Sequence, residues 1–341
     1  MKEIGEMRAE DGREGPAFMT VGGLCEEWLR SVKPMVKPST YACYLTMVEK
    51  HIRGELGKVQ AADLTNQMIM DFIHGRQKQG LSAGTVRLLL FLLKSIVQAG
   101  EEMGACPGEA LYLKLPRQAG KRKEIMEWED FHKMVSYLLN SRKSFELGLL
   151  ISLGTGIRVG ELCGMRWEDI DLDTGVLKVR RTVSRIRNVE EAQAAVPGGK
   201  TILQIGTPKT GSSVRDIPLP GFLTERLRER FCERRFSPQT YVLTGSGRVM
   251  EPRSVQRRFK NLLRRCGIKP VSVHSLRHSF ASKWIEQGLD SKALSEILGH
   301  SSVKITMDIY VHSTMNQKKN YMDHVLEGIC RITIHVLQLN I

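Results

Sequence analysis

The residues best suited to chemistry lie in one C-terminal stretch that ends at a single tyrosine. His274 and Arg277 stand three positions apart, His300 follows the pair Leu-Gly, and Tyr310 comes ten positions after His300. An arginine offers a fork of N–H donors that matches phosphate oxygens, a histidine exchanges a proton near neutral pH, and a tyrosine hydroxyl can act as a nucleophile. The sequence around them shows no cluster of metal-ligating residues. This combination favours chemistry on a phosphodiester.

A glycine-rich segment upstream strengthens this interpretation. It reads Gly154-Thr-Gly-Ile-Arg158-Val-Gly-Glu161 and places Arg158 just after a turn, with Glu161 one helical turn later. A glycine turn lets the arginine reach a ligand, and the glutamate could hold neighbouring cations in register. Taken singly, each residue has an ordinary alternative: a solvated helix face or a capping histidine for the His–Arg pair, and a packing role for Tyr310.

In their order along the chain, these motifs resemble the signature of the tyrosine recombinases, the phage-integrase superfamily of site-specific DNA strand-exchange enzymes. The matching blocks are Thr155-Gly-Ile-Arg158-Val-Gly-Glu161-Leu162, His274-Ser-Leu-Arg277-His278, Leu298-Gly-His300 and Tyr310. The likeness runs from about residue 18 to about residue 315. The family also carries a lysine on a β-turn, which we assign to Lys209 in Thr-Pro-Lys-Thr-Gly; Lys200 is the alternative, and an ordinary turn lysine is the competing interpretation.

The resemblance implies a mechanism in which each role belongs to one residue. Tyr310 would attack a backbone phosphate to give a 3′-phosphotyrosine and a free 5′-hydroxyl, and the reverse step on another strand would rejoin the DNA. His274 would accept the tyrosine proton, and Lys209 would protonate the departing 5′ oxygen. The residues that would stabilise the charge on the pentacoordinate phosphate, and the carboxylate that would orient them, are Arg158, Arg277, His300 and Glu161. This scheme requires no metal and no other cofactor.

Composition favours a polyanionic partner. The 341 residues carry 51 lysines and arginines against 37 acidic residues, a formal net charge of +14. Nucleic acid is the leading partner on this basis, and an anionic membrane surface is the second. The longest purely apolar run, 88–93, is far shorter than the roughly 20 residues of a membrane span, and residues 1–17 lack the apolar core of a secretory signal. We therefore expect a cytoplasmic, nucleoid-associated protein whose seven scattered cysteines are free thiols.

The hydrophobic pattern predicts a mainly α-helical protein, and the resemblance implies that its two domains close around DNA as a clamp. We divide the chain into a flexible N-terminus (1–17), a helical core-binding domain that binds DNA (18–114), a linker (115–123), a larger catalytic domain (124–316) and a C-terminal tail (317–341). The catalytic domain is expected to combine helices with one small antiparallel sheet. The tail could dock on a neighbouring protomer, as the resemblance implies.

Local signals predict the individual elements. In the core-binding domain, Ser39 is expected to cap a helix, and a second helix carries an apolar stripe from Val86 to Val97. In the catalytic domain, the alternation of β-branched residues predicts strands at 176–179, 182–183, 201–205 and 214–219. Helices are predicted at 128–139, 145–153, 221–235, 254–265, 274–287, 291–298 and 303–311.

Recognition of a duplex needs more surface than one reactive site. The basic residues that we expect to contact DNA are Lys37, Arg87, Lys94, Lys121, Arg257, Arg258, Lys260 and Arg264. Solubilising charge is an equal alternative for any one of them. The expected partners are the double-stranded DNA of the recombination sites, further copies of the chain in a homotetramer on that DNA, and an accessory directionality factor.

Three functions remain open at this point. The first is the integrase of a phage or conjugative element, which would integrate and excise it; the second is a chromosome-dimer resolvase or DNA invertase with the same chemistry. The third is a DNA-binding regulator that has lost catalysis, and the presence of all six catalytic residues argues against it. The few residues before Thr20 are too short for the arm-site domain of many integrases, so we expect a simpler two-domain member or one whose arm domain is absent.

Overall fold

The computed structural model describes residues 19–106, 126–189, 200–208 and 213–310, together with residues 319 and 322. It divides into two compact units, the first formed by Met1–Lys121 with Ile186–Ile202 and the second by Arg122–Arg185 with Leu203–Ile341. Several predictions fall outside the described residues: the N-terminus 1–17, the linker 115–123, Lys121, Lys209 and nearly all of the tail 317–341.

The first unit is a bundle of helices. Its α-helices are α1 (Val21–Val32), α2 (Pro38–Met47), α3 (Asn66–Lys78) and α4 (Ala83–Glu102). Thr20, Thr65 and Ser82 begin α1, α3 and α4, and each side-chain oxygen accepts a hydrogen bond from a backbone N–H in the first turn. The prediction that Ser39 caps α2 is wrong. Pro38 takes the first helical position, where its fixed φ and missing N–H suit the helix, so Ser39 lies inside it.

Helix α4 supplies the centre of this bundle. Leu89, Leu92 and Leu93 have no solvent exposure, and the predicted apolar stripe is buried against the other helices. Length and composition alone would also allow α4 to cross a membrane. A long core helix meets the same two criteria, and the burial of its apolar stripe accounts for its composition.

The second unit contains eight described α-helices, one three-stranded sheet and most of a two-stranded sheet whose remaining residues belong to the first unit. The helices are α5 (Trp128–Leu139), α6 (Ser144–Thr155), α7 (Val159–Gly164), α8 (Gly221–Arg234), α9 (Pro252–Arg265), α10 (His274–Glu286), α11 (Ser291–Leu298) and α12 (Val303–Tyr310). The strands are β1 (Ile170–Asp171), β2 (Val176–Val179), β3 (Thr182–Arg187), β4 (Thr201–Gly206) and β5 (Arg215–Pro218). Helix α6 is buried nearly all round and forms the middle of the core.

The strands form two sheets instead of the single sheet predicted. Antiparallel pairing joins β1 to β2 and β2 to β5, while β3 and β4 pair only with each other among the described strands. The physical reason lies in the burial of the side chains. Leu177 of β2 and Ile217 of β5 face the core, whereas Ile202 and Ile205 of β4 are 44% and 43% exposed. The apolar composition of β4 therefore predicted a strand but not the sheet to which it belongs.

Two glycines end helices directly before functional motifs. Gly156 closes α6 with a φ of 65°, and Gly299 closes α11 with the same φ, a conformation that favours glycine. A Cβ atom on Gly156 would lie 2.7 Å from side-chain atoms of both Phe280 and Leu298. The end of α6 thus packs closely against α10 and α11, and this packing brings the motifs together.

Candidate active site

Four separate segments of the second unit build one polar site. Arg158 and Glu161 lie at the start of α7, and Arg215 lies on β5. Arg277 and His278 lie in the first two turns of α10. His300 lies between α11 and α12, and Tyr310 is the last residue of α12. Arg215, Arg277 and Glu161 are buried, which is unusual for charged residues unless they are paired.

Glu161 holds two arginines through one buried carboxylate. Its oxygens accept hydrogen bonds from the backbone N–H of Arg158 at 2.9 Å and from Arg158 Nη1 at 2.8 Å. The same carboxylate accepts from Arg215 Nη1 at 3.2 Å and from Arg215 Nη2 at 3.0 Å. Burial by itself would raise the pKa of Glu161, but the hydrogen bonds and charges of Arg215 and Arg158 hold that pKa below its ordinary value. Glu161 is therefore ionised and orients both guanidinium groups.

Three arginines converge on the last turn of α11. Arg215 Nε donates to the carbonyl of Ile297, Arg277 Nη2 to that of Leu298 at 2.8 Å, and Arg158 Nη2 to that of Gly299 at 2.9 Å. Carbonyls at a helix C-terminus have no partner within the helix and carry partial negative charge, so cations are favourable there. These bonds fix the turn that leads directly into His300.

Arg277 is the most deeply buried of these cations. It is 2% exposed, and its Nη1 donates to the carbonyl of Gly156 at 2.8 Å. Burial, followed by the neighbouring charge of Arg158, lowers its pKa to about 10. The guanidinium remains protonated at neutral pH, and it supplies a positive charge in a region where little water screens it.

Tyr310 lies inside the site with its hydroxyl next to histidine. The side chain is 9% exposed, and its hydroxyl is 2.8 Å from His278 Nδ1. Its ring is parallel to that of His300, with 6.5 Å between the centroids. Burial raises the pKa of Tyr310, while the charge and hydrogen bond of Arg277 oppose that shift. The hydroxyl is therefore protonated at neutral pH and needs an acceptor to become a nucleophile.

His300 is held by a residue of the next helix. Its Nδ1 is 2.8 Å from the hydroxyl oxygen of Thr306, which is fully buried in α12. The first turn of α12 is stabilised by Ser302, whose hydroxyl accepts from the backbone N–H of Lys304 at 3.2 Å. These contacts fix the His300 ring relative to the helix that carries Tyr310.

The site brings together five of the six predicted catalytic residues, and Lys209 lies outside the described residues. His274 is exposed, and its ring lies edge-on to that of His278 with 4.5 Å between centroids. Sequence reasoning assigned no role to His278 or Arg215. His278 follows Arg277 directly in the motif, and Arg215 shares the inward face of β5 with Ile217, so the period of two in that strand could have indicated its burial.

The DNA contacts of the basic residues remain predictions, and these residues differ in solvent exposure. Most of those that the structure describes are exposed: Lys37, Arg87, Arg257, Arg258, Lys260 and Arg264. Lys94 is half-buried. Arg258 lies over the ring of Phe145, with 4.3 Å from its guanidinium carbon to the centroid, so it also packs against α6.

Exchanging Glu161 for glutamine is expected to remove part of the acid sensitivity of the fold. The folded-state pKa of Glu161 lies below the unfolded value of about 4.3, so ionisation stabilises the fold fully above that value, and this stabilisation is lost as pH falls through the folded pKa. Urea unfolding of both proteins between neutral pH and acid should show their difference in free energy shrinking as pH falls. Glu225→Gln changes an exposed carboxylate of α8 and should follow the wild type. Parallel curves for the wild type and Glu161→Gln would contradict the prediction.

Comparison with known proteins shows the family to which the chain belongs. Residues 124–317, more than half of the chain, match the phage integrase family, and residues 20–75 match its N-terminal SAM-like domain. A protein of Caldanaerobacter subterraneus subsp. tengcongensis named tyrosine recombinase XerC-like is 29% identical over 89% of this chain and 82% of its own length. The ICEBs1 integrase of Bacillus subtilis is 27% identical over 94% of this chain and 86% of its own length.

Solved structures agree in fold. A complex of the Tn1549 transposon integrase with transposon right end DNA superposes with a TM-score of 0.73, at 21% identity, over 90% of this chain and all of that one. A lambda integrase dimer bound to a core site gives a TM-score of 0.63 at 19% identity, over 87% of this chain and 97% of that one. The match to the family model covers every described residue of the site, and on this ground the chain belongs to the phage integrase family of tyrosine recombinases, enzymes that cleave and rejoin DNA.

Proposed function

We propose that this chain is the integrase of a phage or conjugative element and that Tyr310 is its nucleophile. The observation that carries the second part is the position of the Tyr310 hydroxyl, which lies beside His278 and Arg277 in the buried site. The first part is supported by the ICEBs1 integrase, which aligns over 94% of this chain.

A second candidate function has its own support. Relatives named tyrosine recombinase XerC-like and XerA are 29% and 28% identical to this chain. A housekeeping recombinase that resolves chromosome dimers would use the same chemistry, so the two functions differ only in the DNA that is recognised.

The chemistry follows from the residues of the site. The Tyr310 oxygen attacks the phosphorus of a DNA backbone phosphate, a new O–P bond forms, and the bond to the 5′ oxygen breaks. The departing oxygen takes a proton, in our proposal from Lys209. The tyrosine proton passes to one of two neighbouring histidines, His274 or His278. Negative charge on the pentacoordinate phosphate is stabilised by Arg158, Arg277 and His300, whose positions are fixed before DNA binds.

The wider assembly is part of the same proposal. Cations on both units contact the phosphates of a DNA duplex, so binding falls steeply as salt concentration rises. Four copies of the chain assemble on two paired sites in the cytoplasm, at the nucleoid, and an accessory directionality factor selects between integration and excision.

The experiment that tests the function uses nicked suicide substrates, from which the cleaved strand end diffuses away. One substrate carries the ends of the element that encodes the chain, and a second carries the dimer-resolution site of the host chromosome. We expect a covalent adduct in which the protein is attached to the 3′ phosphate, and we expect it to form in the presence of EDTA. Only the substrate with the element ends should give this adduct. An adduct confined to the chromosomal site would establish the second candidate, and no adduct on either DNA would overturn both.

A further inference from the structure

His278 is the histidine that touches the reactive hydroxyl. It lies in the second turn of α10 and is 6% exposed, and its Nδ1 is 2.8 Å from the Tyr310 oxygen. The two rings are inclined by 52° with 5.6 Å between their centroids, so their contact is through the polar atoms and not through stacking. A general base must lie within hydrogen-bonding distance of the proton that it removes, about 2.6–3.2 Å between heavy atoms.

We propose that His278 is a catalytic residue that accepts the proton of Tyr310, and this assignment rests on the proposed function. The O–H bond of Tyr310 breaks as its oxygen forms the bond to phosphorus, and the proton moves to Nδ1, which leaves His278 as an imidazolium. This transfer requires that Nδ1 accept the hydrogen bond in the resting protein and that Nε2 carry the ring proton. When the strand is rejoined, the same proton returns to the tyrosine oxygen.

The surroundings of Tyr310 favour loss of its proton while its oxygen attacks phosphorus, and not ionisation of the hydroxyl before the attack. The Tyr310 ring is buried, and burial opposes a free phenolate. Arg277 lies on the same helix one position before His278 and stabilises negative charge in the site. A proton that moves as the O–P bond forms avoids an unsolvated phenolate. The ring of His274, an exposed residue, lies edge-on to that of His278 with 4.5 Å between centroids, and in this proposal it passes the proton on to solvent.

The test is His278→Asn in single-turnover cleavage of the suicide substrate by the full chain. Asparagine places a polar atom the same number of bonds from the backbone as Nδ1, so it can hold the Tyr310 hydroxyl but cannot keep its proton. We expect cleavage to slow by about 10²-fold or more, the usual contribution of a general base, while DNA binding is unchanged. His132→Asn is the matched control, because His132 also contacts a neighbouring aromatic ring, Trp128, but lies on α5 outside the site.

A second substrate separates the role of general base from that of general acid. A substrate with sulfur in place of the bridging 5′ oxygen has a thiolate leaving group, with a pKa near that of cysteine, about 8.5, and needs no proton donor. The defect of His278→Asn should persist on it; full rescue would make His278 the acid of the reaction and overturn the assignment. Cleavage by His278→Asn within a few-fold of wild type would overturn it as well.

The hydrogen bond can be tested without changing His278. In ¹⁵N-histidine spectra of the DNA-free protein, the His278 resonances, identified by their loss in His278→Asn, should shift in Tyr310→Phe. An unchanged His278 spectrum would overturn the contact and with it the proposal, whatever the cleavage rate of His278→Asn. A wild type that formed no adduct would instead overturn the proposed function.

Discussion

Tyr310→Phe is expected to reduce formation of the covalent protein–DNA adduct to background while DNA binding remains. The substitution removes only the hydroxyl, which is the nucleophile of the proposed mechanism. Tyr310 is 9% exposed, and its ring stays in place. The hydroxyl loses its contacts with His278 and Arg277, each typically worth about 0.5–1.5 kcal/mol, which is small beside the roughly 5–15 kcal/mol that keeps a protein folded. The adduct is scored by denaturing electrophoresis of the suicide-substrate reaction, and DNA binding by mobility shift.

Tyr241→Phe is the matched control for this experiment. Tyr241 is 5% exposed in the same unit, and its hydroxyl accepts a hydrogen bond from Arg166 at 3.2 Å. Its removal therefore costs a similar hydrogen bond but touches no residue of the site, and the adduct should form as in the wild type. An adduct that persisted in Tyr310→Phe would place the nucleophile on another residue, which peptide mapping of the adduct would identify.

Elements with local signals at both ends could be predicted from the sequence. The range predicted for α11, 291–298, is the range observed, because the Asp290 side chain accepts from Ala293 N–H at one end and Gly299 adopts a left-handed conformation at the other. Strand β2 and helix α5 also have the predicted bounds. The division of the strands into two sheets could not be predicted, because pairing partners are distant in sequence and an apolar strand carries no mark of the sheet that it joins.

In the candidate site, too, short motifs could be predicted from the sequence, whereas contacts between residues far apart in the chain could not. The motifs around Arg158, Arg277 and Tyr310 contain short, ordered residue patterns, so their presence could be predicted from the sequence. The contact between His278 and Tyr310 spans 32 positions, and that between Arg215 and Glu161 spans 54. Such contacts depend on how α10, α12 and β5 pack, which no local pattern contains. The sequence therefore indicated the site, and only the packing distinguished His278 from His274.

Arg215→Met is expected to cost more stability than any surface substitution in the same unit. The side chains of Arg215 and Glu161 are 6% and 3% exposed, and their carboxylate–guanidinium contact is 3.0 Å. Methionine keeps much of the volume but leaves the Glu161 carboxylate buried with Arg158 as its only remaining arginine partner among the described residues. Removing one partner of a buried ion pair typically costs about 3–5 kcal/mol. Urea unfolding of the full chain, with variants compared under one condition, measures the loss.

Arg180→Met is the matched control because it makes the same change beside the same strand. Arg180 pairs with Asp216, the neighbour of Arg215, at 2.6 Å, but their side chains are 40% and 53% exposed, so the expected cost is below about 1 kcal/mol. In the single variant Arg215→Met, the buried Glu161 carboxylate loses its partner Arg215. The double variant Glu161→Gln with Arg215→Met also removes that negative charge, so it should regain part of the stability that the single variant loses. Equal losses for Arg215→Met and Arg180→Met would contradict the role of Arg215. Arg215 would then be dispensable to the turn that carries His300.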